Sequence, residues 1–246
     1  MARRSVQPPS NCAVCPVRTL ALYWENDDDS ADAIRRLRKG TRDVGAKRFL
    51  VREGEVQDEV YSIYSGWVAR MKAIGDGQRE ILQFLMGGDF VDFPLLSGRA
   101  ASYSVQALTD VQLCVFDRKV LADYMSERPA LIQRLERWIS MEMNYAYVRL
   151  LDIGRRSALE RIARLLLELY RRQERLGLLV DGVMSCPLRQ QDIGDALGLT
   201  SVHVSRTLAE LKADGLLELH ASELRILDRA RIRSLVGLPT DQAMPE

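Results

Sequence analysis

The sequence predicts an α+β chain: a β-rich antiparallel half, one long helix, and a winged helix-turn-helix toward the C-terminal end. Three observations carry this. Between Lys47 and Asp117 short apolar runs alternate with glycines, among them RFLVREGEV, VYSIYSGWVARM and EILQFLMGGDFVDF. After Asp117 the apolar period becomes helical and stays so for several turns. In residues 188–213, LRQQDIGDALGLTSVHVSRTLAELKA, two short helical patterns meet at a Gly-Leu-Thr junction.

Residues 1–19 read as irregular, because Pro8, Pro9 and Pro16 prevent a long helix. They contain Cys12-Ala-Val-Cys15, which alone is a metal clip, a redox pair or coincidence. Residues 29–39 suggest a short helix with Ser30 as its cap. From Lys47 the β texture begins, with a turn at Gly75-Asp76-Gly77 and further segments YSVQALTD and VQLCVFDR. Short β segments at regular spacing, with turn residues between them, indicate an antiparallel sandwich or barrel.

The long helix starts near Pro129, which fits an early helical position. Its stripe is Leu131, Ile132, Leu135, Trp138, Ile139, Tyr145, Ala146, Leu150 and Ile153. One helix between two domains has too little neighbouring chain to cover that stripe. A second copy would cover it, giving a homodimer seam, while one edge packs on the helix's own β domain. Gly154 interrupts the pattern, and Ser157-Ala-Leu-Glu160 reads as the capping box of a new helix. That helix carries Leu159, Ile162, Ala163, Leu166 and Leu169 on one side and should stop at Gly177. LLV and VMSC around Asp181-Gly182, and later LLEL and LRIL, each read as a hairpin, so strands flank the helix pair. The expected domains are 1–126 (arm and β domain), 127–153 (dimer helix), 154–238 (winged helix-turn-helix) and 239–246 (a disordered tail).

Within the helix pair, Ile193, Ala196 and Leu197 share one face, Gly198 is placed to end the first helix, and Thr200 is placed to cap the second. Val204, Leu208 and Leu211 face a core. At about 100° per residue the opposite face carries Val202, Ser205, Arg206 and Ala209, flanked by Ser201 and His203. That face is small, polar and cationic, which suits a DNA major groove. Taken alone, the same pattern also describes an ordinary helical hairpin with a solvated face.

Composition limits the choices. The 246 residues carry 35 Lys+Arg against 34 Asp+Glu, a formal net charge of +1. No general polyanion affinity follows from that, but the charge is uneven. Residues 25–32 (ENDDDSAD) are acidic, while 155–175 hold Arg155, Arg156, Arg161, Arg164, Arg171, Arg172 and Arg175. No apolar run reaches membrane-spanning length and the N-terminus lacks a secretory pattern, so a cytoplasmic protein is expected. The four cysteines are then thiols or metal ligands rather than disulfides. His203 and His220 are the only histidines, and no nucleophile motif, phosphate loop or clustered carboxylate pair is present, so no enzyme is expected.

The β-roll, long helix and winged helix-turn-helix, in that order, resemble the CRP/FNR superfamily of bacterial transcription regulators. Tyr64-Ser65-Gly66 followed by Val68, the Gly87-Gly88-Asp89-Phe90 corner and QDIGDALGLTSVHVSRTLAEL carry the resemblance. It implies a cyclic-nucleotide-binding-like β-roll and a homodimer, often an activator, on a palindromic site in double-stranded DNA with RNA polymerase as partner. By position, Val202, Ser205 and Arg206 would read bases, with Arg206 best suited to guanine O6 and N7. Many members carry a glutamate where Val202 stands; valine instead packs on a thymine methyl. Thr200 caps the same helix, and Ser201, His203 and Arg189 would position phosphates.

The resemblance also bears on the signal. Members that bind cyclic nucleotides use a glutamate and an Arg-Ser pair; the matching positions here are Phe93, Ala101 and Ser102, which argues against cyclic AMP. Oxygen-sensing members carry an arm of cysteines and one more near the end of the β-roll, matched by Cys12, Cys15 and Cys114. A third arm cysteine would fall at Ala21, so an iron–sulfur cluster would need a fourth ligand, for which Glu25, Asp27, Asp28 and Asp29 are near in sequence. The other readings are a remnant of such a site, a Cys12–Cys15 redox pair, a small-molecule signal or no signal. Cys186 reads as a buried small hydrophobe.

Overall fold

The structure, a computed structural model, describes residues 15, 28–75, 77–91 and 94–238. Cys12, Phe93 and the tail beyond Leu238 lie outside these residues. The chain divides into two compact units, Met1–Met143 and Asn144–Glu246.

The first unit opens with α1 (Asp28–Leu37), followed by β1 (Arg38–Val44), β2 (Phe49–Val51), β3 (Glu59–Ser65), β4 (Val68–Gly75), β5 (Gln78–Leu85), β6 (Ser104–Ala107) and β7 (Val111–Asp117). Two antiparallel sheets form, in the orders β1-β7-β3 and β2-β6-β4-β5. Their inner faces bury Val60, Ile63, Val68, Val105, Leu113 and Phe116 in one core. Two helices follow, α2 (Arg118–Ser126) and α3 (Pro129–Arg155). Asp117 caps α2 by accepting from the Val120 N–H at 3.0 Å. Leu131 is fully buried in the β-domain core, with Leu135 and Trp138 packed against it.

Strands begin earlier than the apolar texture suggests. In β1, RKGTRDV, Val44 is the sole large apolar residue, and the segment is a strand because β7 pairs with it along its length. Its cations reach across β7 to β3: Lys39 Nζ lies 2.7 Å and Arg42 Nη2 2.5 Å from the Glu59 carboxylate. Ser30 sits inside α1 rather than at its cap.

The second unit holds the rest of α3, then α4 (Ala158–Arg175), β8 (Val183–Ser185), α5 (Gln190–Leu197), α6 (Ser201–Ala213), β9 (Leu217–His220), β10 (Glu223–Ile226) and α7 (Arg229–Leu235). The helix α3 runs through Gly154 and ends one residue later. The break comes at Ser157, which caps α4, while Glu160 accepts from the Ser157 N–H at 2.8 Å. LLV does not form a hairpin arm: only Val180 bridges Val183, and β8 pairs instead with β10. The wing, β9 and β10 joined through Ala221-Ser222, forms as the alternation predicts. The short helix α7, capped by Asp228, has too few apolar residues to stand out in the sequence. Among the described residues no helix is long and apolar enough to cross a membrane.

Candidate nucleic-acid interface

Helix α5 begins at Arg189, whose guanidinium is held by Asp192. Arg189 Nε donates to Asp192 Oδ2 at 3.0 Å and Nη2 to Oδ1 at 2.9 Å. Asp192, only 2% exposed, also accepts from the Arg189 backbone N–H. That hydrogen-bonded pairing holds Arg189 protonated more firmly than an ordinary arginine. Arg189 therefore keeps an exposed guanidinium in a fixed position at the start of the helix pair.

The junction follows from two glycines. Gly198 takes the left-handed conformation, φ 64° and ψ 39°, that ends α5. Gly194 allows the chain to fold back: a Cβ there would lie 2.4 Å from the Leu199 carbonyl oxygen. The sequence reading singled out Gly198 and missed Gly194; a glycine inside a short helical pattern is the signal that points to it. Thr200 then caps α6, its hydroxyl accepting from the His203 N–H at 3.2 Å.

In α6 the buried residues are Val204, Thr207, Leu208 and Leu211. Ser201, Val202, His203, Ser205, Arg206 and Ala209 are all exposed, and Val202 is 69% exposed. The residues expected to read bases therefore share one solvent-facing surface, with Ser201 and His203 beside them. Thr200 acts through its cap.

Arginines tie the end of α3 to the helix pair from behind. Arg149 Nη2 donates to the Ala196 carbonyl at 2.6 Å, and Arg161 Nη1 to the Leu197 carbonyl at 3.3 Å. Arg161 Nη2 also takes the Ile153 carbonyl at 2.8 Å. Asp152, 2% exposed, lies between Arg156 Nε at 2.9 Å and Arg164 Nε at 3.4 Å. The shorter approach lacks hydrogen-bond geometry, since Asp152 Oδ1 has no hydrogen-bond partner. Burial raises the Asp152 carboxyl above its usual value, against the lowering effect of the arginines around it. Arg156, Arg161 and Arg164 are thus held by the protein's own carboxylate and carbonyl groups.

In the first unit, Cys114 is half-buried on β7, level with Thr41 on β1 and Ser62 on β3. Cys15 is half-buried as well, and neither thiol is in a disulfide. Burial first, then the electrostatic influence of Cys15 and Cys114, holds the Tyr64 hydroxyl above the usual phenol value. Among the described residues no three His, Cys, Asp or Glu side chains gather as a metal site. Cys186 is buried just before α5, and burial pushes its thiol up to about 11.

A cleft of about 760 Å³ also opens in this unit, lined by Leu96, Tyr103, Met125, Trp138 and Arg70 among others. Arg70, 5% exposed, donates to Glu142 Oε2 at 2.8 Å and Gln83 Oε1 at 2.7 Å.

The same two regions are matched by known families. A Crp-like helix-turn-helix domain matches residues 160–235, and a cyclic nucleotide-binding domain matches residues 41–128. The chain is 34% identical over 226 residues to the transcriptional activatory protein AadR of Rhodopseudomonas palustris, covering 91% of this chain and 92% of that protein. The chain belongs to the CRP/FNR family of transcription regulators. It is 31% identical over 238 residues to the transcriptional activator protein FnrL of Cereibacter sphaeroides, with 95% of each chain covered. The solved structure of FixK2 from Bradyrhizobium japonicum matches with a TM-score of 0.72 and 30% identity, over 84% of this chain and 98% of that one. As a member of this family the chain is a DNA-binding transcription regulator, not an enzyme.

Proposed function

We propose that the protein works in the cytoplasm as a homodimer, each copy reading one half of a palindromic promoter site and together activating RNA polymerase there. One observation carries the dimer. Ile139, Met143, Ala146, Leu150 and Ile153 are all exposed on α3, at spacings that alternate between four and three residues. That is the seam of a two-stranded coiled coil, and solvent is a poor partner for it. Two copies joined there present two α6 helices, so half-sites about one DNA turn apart fit.

For the signal, the proposal is that Cys12, Cys15 and Cys114 hold an iron–sulfur cluster. Cys15 and Cys114, two sulfur donors from the arm and from β7, both act on the hydroxyl of one tyrosine, Tyr64, and Cys114 stands level with Ser62 on the Tyr64 strand, which favours a shared metal site over coincidence. Cys12 lies outside the described residues, and Glu25, Asp27, Asp28 or Asp29 would supply the remaining ligand. When bound, the cluster supplies an oxidant-sensitive tie between the cysteine arm and the β domain. Cyclic AMP is not the proposed signal. Arg70, the one arginine or lysine of the cleft among the described residues, is already neutralised by Glu142 and leaves a cyclic phosphate without a counter-charge.

Purification without oxygen tests this. A brown protein with iron and sulfide, bleaching in air and sedimenting as a dimer, is the expected result. A colourless protein free of iron overturns the cluster, and a monomer at micromolar concentration overturns the seam. Cys114→Ser should remove the colour and leave the circular dichroism unchanged.

A further inference from the structure

A second basic surface lies in the DNA-binding unit, apart from the reading face. Arg171 and Arg175 stand four residues apart on α4, and Arg229 and Arg233 four residues apart on α7, which packs against α4. Glu174 enters this group and takes Arg229 Nη2 at 2.7 Å. Arg229 also lies over the Tyr170 ring, 5.4 Å from its centre. Arg171 Nη1 is buried with no hydrogen-bond partner among the described residues. Burial, then the charges of Arg233, Arg175 and Arg229, hold the Arg171 guanidinium below the usual arginine value. Arg171, Arg175, Arg229 and Arg233 act on one another as like charges, and an incoming anion lowers that repulsion.

The orientation decides which anion. On α4 the buried face is marked by Ile162, Leu166, Leu169 and Gln173. At about 100° per residue, Arg171 and Arg175 fall on the opposite face. Helix α6 packs on α4 with Val204, Leu208 and Leu211 buried, and its reading residues point outward from that contact. Arg171 and Arg175 therefore lie on the side of α4 away from most of its buried residues, separate from the exposed α6 residues expected to read bases. Arginine pairs with carboxylates in bidentate fashion, and its planar fork suits an exposed run of them.

We propose that Arg171, Arg175, Arg229 and Arg233 form a docking surface for an acidic segment of a partner protein, open while α6 is on DNA. The test uses the full chain, alone and bound to a duplex selected from a random library. A labelled short polyglutamate peptide is the probe, followed by fluorescence anisotropy. The peptide is expected to bind saturably in both states, to be released by high salt, and to bind roughly tenfold more weakly to the double variant Arg171→Glu, Arg175→Glu. The new carboxylates would sit beside Arg229 and Arg233, so thermal melting should not fall; Arg171→Gln with Arg175→Gln is the milder second variant. Unchanged peptide binding in both double variants overturns the proposal. So does loss of peptide binding once the duplex is bound, which would place the peptide on α6. A double variant that instead loses duplex affinity and shows a shallower salt dependence would assign the arginines to DNA phosphates and also overturn it.

Discussion

Arg149 Nη2 and the Ala196 carbonyl oxygen lie 2.6 Å apart, joining the last turns of α3 to the end of the first helix of the helix-turn-helix. A helix end leaves its last carbonyls without intrahelical partners, and a guanidinium satisfies one of them with a charge-assisted bond. The bond anchors the last turn of α5 just before the Gly198 turn that leads into α6. Arg149→Ala should cost about 1.5–3 kcal/mol in unfolding free energy. It should weaken binding to every DNA sequence alike, because no base contact is lost. Denaturant melts and titrations against a specific and a scrambled duplex check this; a selective loss on the specific duplex alone would refute it.

Gly194 gives a sharper test of the junction. A methyl group there meets the Leu199 carbonyl at 2.4 Å, a backbone atom that cannot rotate away. Gly194→Ala should destabilise the C-terminal unit by about 1–3 kcal/mol despite alanine's better helix propensity. Gly198→Ala strains the backbone instead, since its φ is 64°. Both variants should lose DNA binding with α6 itself unchanged in sequence. A Gly194→Ala variant as stable as the parent would mean the turn relaxes at no cost.

What the sequence disclosed and what it hid follow from the kind of interaction involved. Periodicity exposes faces, so the solvent side of α6 and the exposed apolar stripe of α3 were legible, as were the caps at Ser157 and Thr200. Pairing partners are not periodic. Strand β1 was hidden because its stability comes from β7 and from Glu59 rather than from its own apolar content. The separate roles within the arginine run were hidden for the same reason. A guanidinium bound to a carbonyl, as Arg161 is to Leu197, looks identical in sequence to one in water. Gly154 misled because a glycine near a helix end also occurs inside the last turn.

Glu59 supplies a pH test. Its hydrogen bond with Lys39 comes first and that with Arg42 next in holding the carboxyl below the usual value. A carboxyl lowered in the folded state adds stability that is fully present above the ordinary glutamate value. That stability is lost as pH falls through the lower, folded-state value. Glu59→Gln should therefore melt below the parent at neutral pH, and the gap should close under acid conditions. Lys39 is open to water and Glu59 half-buried, so salt should shrink the gap as well. A gap that widens on acidification would contradict the assignment.

Arg206 decides the reading face. It is exposed on the outer side of α6, one turn beyond Val202 and next to Ser205, while Leu208 and Leu211 anchor the opposite side. A guanidinium in the major groove can donate twice to guanine, and each such pair discriminates by about 1–3 kcal/mol. Arg206→Ala should therefore lose that much on the selected duplex and relax the preference at one base pair per half-site. Arg189→Ala removes a positioning charge instead, so it should weaken all sequences similarly and reduce the salt dependence by about one phosphate contact per copy. Selecting duplexes separately with the two variants distinguishes these effects. If the Arg206 variant recovers the parent's sequence with unchanged affinity, the base contacts lie elsewhere on α6, and Val202 and Ser205 become the residues to exchange next.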